Sequence, residues 1–408
     1  MIEVERALAL VMQAARPLTP VLTPIGAALG LVLAEDVASR VDCPPFDKAL
    51  MDGYAVLAAD LAGGAADLRV LERLTAGDVP RRRIESGWAS RIMTGAMMPE
   101  GAQAVVVLEH TEPSESEPDP RVRITGGPLV PGQHVLRRGA LVRSGEVVVR
   151  RGRRLSAIEI GLLAEIQVPQ VLVHPRPQVS IMTTGSELVA AGETAGPGQI
   201  ANSNGPMLCG LVSQAGGRAR DLGIGRDDPD ELRWRIADGL DADVLVMSGG
   251  VSTGDHDFVP RVLQELGVEP VLHGVRLKPG KPLWFGVAQR DDRRKLVFGL
   301  PGNPVSCLVC FELFVRPALG ALAGDSNRGL RRAAYRLTQP FEHRGDRPTY
   351  HPARLLDVGG ELQIEPLAWA GSADLCTLAQ ADALALFDAG TRRFEAGQFV
   401  TTLRLERP

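Results

Sequence analysis

The chain has 408 residues, with 45 Lys+Arg against 49 Asp+Glu, a formal net charge of −4 and a mean hydropathy of +0.02. The length suits about two to four domains, and a hydrophobic content of 45 % excludes a chain-wide disordered or collagen-like polymer. The balanced charge argues against a broad nucleic-acid surface, though not against a small anion site.

Residues 3–15 carry apolar side chains at helical spacing, and Pro17 and Pro20 end that helix. The segment carries Glu3 and Glu5 and no basic leader, so it reads as an amphipathic helix rather than a signal peptide. No run of about 18 apolar residues appears, so no membrane span is expected. Residues 22–38 continue with a short helix and a strand. Residues 44–145 hold short apolar runs divided by Gly and Pro, a β pattern in which PSESEPDP (113–120) reads as a solvated hairpin tip or loop. Residues 140–172 resume with a strand (EVVV) and a helix over 156–166. If they pack with residues 1–43, the β module is an insertion. From 175 onward, strands at 178–182, 218–223, 242–247, 282–287 and 295–299 are interspersed with helices at 204–215, 230–239, 258–266 and 304–322. Strands apolar on both faces predict a parallel sheet covered on both sides. Residues 333–405 read as five or six short strands of a small all-β domain.

Five scattered cysteines (Cys43, Cys209, Cys307, Cys310, Cys376) fit a reducing compartment, with the cytoplasm as the expected location. Cys307 and Cys310 form a CxxC pair, but it lies in an apolar run and no second pair exists to complete a zinc set, so it reads as core. Only four basic residues are lysine: Lys48, Lys278, Lys281 and Lys295. Genomic base composition explains a surplus of arginine. A position that stays lysine offers a compact ammonium that a planar guanidinium fork does not reproduce.

In an open parallel sheet, ligands bind beyond the carboxyl ends of the strands. Three unusual loops lie there: TTGSE at 183–187, SGGVSTGD at 248–255, and LPGNP at 300–304, which opens the long helix. Gly185, Gly249, Gly250 and Gly302 let backbone amides approach a ligand. Thr184, Ser248, Ser252, Asn303 and Ser306 add polar groups, and a helix N-terminus adds unpaired donors. Together these suit phosphate or another oxyanion. Glu187, Asp227 and Asp257 each lie just past a strand or its loop, where carboxylates suit Mg²⁺. Asp227 or its neighbour Asp228, and equally Asp257, could instead cap the next helix. Lys278 and Lys281 flank a Pro-Gly turn that can aim both ammonium groups at one oxyanion, or can simply be a solvated turn. Upstream, Asp52 adjoins a Gly turn and Thr94 sits in another. The seven histidines show no metal-ligand spacing. No P-loop is present, nor a Rossmann fingerprint opening the first helix of the sheet.

In order along the chain stand PPFDKALMDGYAV, RIMTGAMMPEGAQAVVVLE, TTGSEL, NSNGPML, SGGVSTGDHD, KPGKP and LPGNPVS. This series resembles the molybdopterin molybdenumtransferases, the family of bacterial MoeA and the C-terminal domain of gephyrin. SGGVSTG-x-x-D is shared with the molybdopterin adenylyltransferases, whereas MDGYA and the β insertion are not. The resemblance implies an α/β plus β multidomain fold. Its parts are a dimerisation region (1–44 plus 140–172), a β-rich insertion (45–139), a parallel α/β molybdopterin-binding domain (173–326) and a β-barrel-like C-terminal domain (327–408). It implies a homodimer whose site lies between the insertion of one subunit and the α/β and C-terminal domains of the other. The implied reaction inserts molybdate into adenylylated molybdopterin with release of AMP, assisted by Mg²⁺. The implied protein partners are the molybdopterin adenylyltransferase and molybdoenzyme chaperones, with no nucleic acid and no membrane. Adenylyl transfer and a gephyrin-like scaffold are the alternatives.

Carried over by residue, Asp52 and Thr94 match site positions of the insertion. Glu187, Asp227 and Asp257 match the acidic, metal-side positions. Ser248, Gly249, Gly250 and Ser252 match a phosphate or pterin loop, Lys278 and Lys281 an anion site, and Pro301 and Pro304 the loop that holds molybdate. Two features depart from the family. Lys48-Ala-Leu50 stands where Ser-Ala is frequent, and Pro352 stands where an arginine is common. Arg354, two residues on along a strand, is the expected substitute, and Ser372 matches a family serine.

Overall fold

The computed structural model describes residues 1–114, 119–250, 258–290, 293–325 and 329–406. The first helix, Val4–Ala14, buries Val4, Ala7, Val11 and Ala14, the single stripe that helical spacing creates. That stripe packs into the core of the α/β domain with Phe314 and Leu322, so the helix belongs to a different core from residues 25–43. Those later residues close around the second half of their own unit. Leu33, Val37 and Cys43 share a core with Val149, Leu155, Leu163 and Val171, and Cys43 bridges Val142. The chain thus leaves this unit near Pro44 and returns near Val142. In the returning half, Ser156 and Glu159 form a capping box that starts the helix Ala157–Glu165.

Between those points lies a six-stranded sheet in the order Ala104–Val107, Gly53–Val56, Trp88–Ile92, Ala66–Leu74, Arg121–Ile124 and Thr111–Ser114. Gly53 has no alternative there, because a Cβ would sit 1.7 Å from the Val106 carbonyl oxygen. Pro113 and Ser114, the first residues of the acidic segment, lie in the strand Thr111–Ser114, which pairs antiparallel with Arg121–Ile124.

The α/β sheet has the order Arg218–Gly225, Gln178–Thr184, Val244–Ser248, Arg293–Leu300, Trp284–Arg290 and Glu269–His273. The first four strands are parallel, and Val179, Ile181, Val244, Val246, Leu296 and Phe298 are buried on them. The expected parallel sheet is extended through antiparallel pairings: Trp284–Arg290 runs against Arg293–Leu300, and Glu269–His273 runs against Trp284–Arg290. Arg290 pairs with Arg293, and two intervening residues are too few for a parallel crossover, so this edge is a hairpin.

Helical residues run from Pro304 to Leu322, with a π-helical turn at Phe311–Val315. By length and composition this run could cross a membrane, but it carries Glu312 and Arg316, and all of its most apolar window is buried in the protein. Glu312 and Arg316, one turn apart, pair inside it, and Arg316 also donates to Glu406 at 2.8 Å. The C-terminal domain is a closed barrel of Arg332–Leu337, Glu361–Pro366, Thr349–Val358, Ala383–Phe387 and Phe399–Arg404. A small sheet of Phe341–Gly345 and Gly390–Phe394 accompanies it.

Candidate active site

The carboxyl ends of three adjacent parallel strands gather the predicted loops. Gly185 takes a φ of +152°, and the Glu187 carboxylate folds over it: a Cβ on Gly185 would lie 2.6 Å from both carboxylate oxygens. Ser186 donates to Asp227 Oδ2 from its hydroxyl at 3.0 Å and from its amide at 3.2 Å. Asp228 accepts from the amides of Asp230 and Glu231 and is the cap of the helix Pro229–Gly239. Of the two neighbouring acids, Asp228 is therefore the cap and Asp227 stays on the loop. Glu187 and Asp227 are exposed oxygen donors on one loop cluster, the chemistry that a hard cation takes. Among the described residues, no three His, Cys, Asp or Glu side chains form a metal cluster. Asp257 and Ser252 lie outside the described residues.

At the next strand end, Gly249 and Gly250 have φ of +92° and +61°. A Cβ on Gly249 would lie 2.4 Å from the Thr184 carbonyl oxygen, and one on Gly250 would lie 2.6 Å from Thr184 Oγ1. Two successive glycines are needed for this approach. Thr184 Oγ1 is buried with no partner among the described residues. Ser248 is buried and donates to the Pro301 carbonyl at 3.2 Å. The Gly249 amide donates to the Leu300 carbonyl at 3.1 Å, joining the second loop to the third.

The third loop opens the long helix, but its amides are not all available. Pro304 has no N–H, and the Val305 amide donates to the Ser372 carbonyl at 3.0 Å. Asn303 Nδ2 donates to Ser372 Oγ at 2.9 Å. The barrel therefore reaches over this helix start and takes up one donor that sequence reasoning left free for an anion. Ser306 is buried in the first turn.

The KPGK turn packs against the same helix. A Cβ on Gly280 would lie 2.6 Å from Cys310 Sγ. Lys278 is half-buried and Lys281 exposed. The Lys278 backbone is sewn to the barrel, donating to the Pro348 carbonyl and accepting from the Tyr350 amide, both at 2.8 Å. Burial lowers the basicity of His343, and the Lys278 charge adds to it; burial does the same to His351. Burial pushes the Cys307 thiol up to about 12 and Cys310 well above the usual range. The pair is inert core, as its sequence context predicts. Lys295 is structural: it is buried and donates to the Asp241 carbonyl at 3.0 Å.

In the insertion, Asp52 Oδ1 accepts from both the amide and the hydroxyl of Thr94 at 2.7 Å, which holds this exposed carboxyl below its ordinary range. These bonds stay within the insertion. Arg354 is exposed and pairs with Glu365 at 2.7 Å, its neighbour across the barrel sheet. Two residues not singled out from sequence, Asn202 and Asn204, lie among the loops. Asn202 binds Thr183 Oγ1 at 2.9 Å and accepts from the Gly205 amide at 3.1 Å. Asn204 donates to Ser248 Oγ at 2.8 Å and to the Gly302 carbonyl at 2.6 Å. NSNGPML was the available signal, but an asparagine before a helical pattern reads first as a cap.

Family models match three stretches of the chain: "MoeA N-terminal region (domain I and II)" over residues 2–166, "Probable molybdopterin binding domain" over 180–321, and "MoeA C-terminal region (domain IV)" over 334–405. A protein of Nostoc sp. named molybdopterin molybdenumtransferase is 36 % identical over 387 residues, covering 93 % of this chain and 87 % of its own. Molybdopterin molybdenumtransferase 1 of Mycobacterium tuberculosis is 34 % identical over 406 residues, covering 93 % of each. The crystal structure of a molybdopterin biosynthesis MoeA protein from Pyrococcus horikoshii superposes with a TM-score of 0.82 at 32 % identity, covering 99 % of both chains. In sequence and in fold, the chain belongs to the MoeA family, that of the molybdopterin molybdenumtransferases.

Proposed function

We propose that this protein inserts molybdate into adenylylated molybdopterin, forming the molybdenum cofactor and releasing AMP. The observation that carries the reading is the joining of the 248–250, 300–304 and Ser372 segments by hydrogen bonds among Asn204, Ser248, Asn303 and Ser372. The carboxylates of Glu187 and Asp227 stand on the adjoining loop. A phosphoanhydride with a dithiolene needs this division: amides and cations for anionic oxygens, and acids for a cation that offsets their charge.

In this reading the 248–250 loop holds the phosphate or pterin side. Pro301, Gly302, Asn303, Pro304 and Ser372 border the molybdate side. Lys278 and Lys281 supply positive charge to the second anion. Glu187 and Asp227, with Asp257, would hold Mg²⁺, which supplies Lewis-acid charge at the departing phosphate when bound. Asp52 and Thr94 bond to each other within the insertion, which fits a homodimer in which one subunit's insertion completes the other's site. Arg354 would join only on release from Glu365. The substrate comes from a molybdopterin adenylyltransferase, and the product passes to molybdoenzyme chaperones in the cytoplasm.

Incubating purified protein with adenylylated molybdopterin, Mg²⁺ and molybdate tests the reading. Molybdate-dependent AMP release with one molybdenum gained per pterin is expected. Absence of AMP release, or formation of adenylylated molybdopterin from molybdopterin and ATP, would overturn it in favour of an adenylyltransferase.

A further inference from the structure

We propose that Asn204 is a positioning residue that sets the spacing between the 248–250 loop and the 300–304 loop. The inference rests on the transferase reading above, in which both loops grip one substrate. Asn204 is buried, with 7 % of its surface exposed. Its Nδ2 donates to Ser248 Oγ at 2.8 Å and to the Gly302 carbonyl at 2.6 Å, while Ser248 Oγ donates on to the Pro301 carbonyl at 3.2 Å. One amide group therefore closes a ring of hydrogen bonds between two strand ends that are 53 residues apart in sequence.

The orientation of that amide is dictated by its neighbours. Gly302 meets the amide with its carbonyl oxygen, so the reversed amide would set oxygen against oxygen. The consequence is that Asn204 Oδ1 is buried without a partner among the described residues. Asn202, two residues earlier, satisfies both ends of its amide with Thr183 and Gly205. Asn204 instead spends both bonds of its Nδ2 on the two loops. The loops it clamps are close: a Cβ on Gly302 would lie 3.9 Å from Gly249 Cα.

Without the clamp, the two loops are free to separate and no longer meet both ends of the substrate at once. The loss falls on substrate capture, so KM for adenylylated molybdopterin rises more than kcat falls. Asn204→Asp tests this with almost no change of shape, because it replaces the donor facing Gly302 by an acceptor. Asn204→Ala removes the clamp outright, and Ser248→Ala opens the ring from its other side.

The experiment measures KM and kcat of AMP release and the melting temperature of all three variants, together with the Asn204→Ala/Ser248→Ala double variant. The expected result is a KM raised about ten-fold or more in Asn204→Asp and Asn204→Ala, with kcat falling by less. The double variant loses no more than Asn204→Ala alone, since both changes open one ring. If Asn204→Ala does not fold, Asn204→Asp and Ser248→Ala carry the test. A KM within two-fold of wild type in Asn204→Asp, or additive losses in the double variant, overturns the proposal while the transferase reading stands. Wild-type protein that releases no AMP overturns both.

Discussion

Asn303 of the α/β domain donates to the Ser372 hydroxyl of the C-terminal domain at 2.9 Å, while the Ser372 carbonyl takes the Val305 amide at 3.0 Å. One barrel residue thus serves as side-chain acceptor and as helix cap. Ser372→Ala keeps the backbone cap and removes only the hydroxyl. Stability should fall by about 1 kcal/mol, the worth of one hydrogen bond. Molybdate-dependent AMP release should fall about ten-fold or more if the hydroxyl serves the molybdate side. Urea denaturation and an AMP assay run together separate these effects, and unchanged AMP release would remove Ser372 from the site.

Asp227 and Asp228 are adjacent but do different work. Asp228 caps a helix, so Asp228→Ala should lower stability by about 1 kcal/mol and leave most of the turnover intact. Asp227 accepts from Ser186 on the exposed loop. Asp227→Ala should leave the melting temperature close to wild type and reduce AMP release by about two orders of magnitude. Thermal melts and AMP assays of both variants give the comparison, and a reversed pattern would exchange the two roles.

Gly280 is held at a φ of +123° with Cys310 Sγ 2.6 Å and Leu277 Cδ1 2.8 Å from where a Cβ would stand. Gly280→Ala should therefore cost about 2 kcal/mol or more, from backbone strain and overpacking together. The turn carries Lys278 and Lys281, so the apparent molybdate requirement should also rise. A Gly280→Ala protein with wild-type stability and molybdate dependence would show that the turn tolerates displacement.

His343 and His351 are both buried in the barrel domain, and burial holds both below the ordinary imidazole value. The unfolded chain binds these protons more readily than the folded one. The stability they support is present above the unfolded pKa of about 6.5 and is lost as pH falls below it toward the folded values. The unfolding free energy from urea titration should be lower at pH 5 than at pH 7 from this source. His343→Phe retains a ring beside Phe387, whose centroid lies 5.6 Å from that of His343, and should flatten the dependence. An unaltered slope in that variant would assign the effect to other groups.

Much of the architecture was legible before folding was considered. Runs such as QVSIM and DVLVM are apolar on both faces, which only a strand covered on both sides accommodates. The TTGSE, SGG and LPGNP loops were legible because glycine and proline act on the backbone locally. Their candidacy as a ligand site followed from their place at strand ends. The direction of Trp284–Arg290 was not so readable, because apolar content does not encode orientation and only the short connection from Arg290 to Arg293 does.

Sequence by itself determined most of the strands and helices of the α/β domain, the glycine-bearing loops, the inert Cys307/Cys310 pair and the motif series that carries the family resemblance. Tertiary structure alone decided which polar group meets which. It gave Asp228 the cap and Asp227 the loop, and tied Arg354 to Glu365. It also set Ser372 over the helix start and placed Asn204 between two loops. The physical reason is range. Helix and strand periods and turn chemistry act over a few residues, whereas Asn204 finds Ser248 44 residues away and Gly302 98 residues away. A hydrogen bond of that span exists only once the sheet has brought its strand ends together.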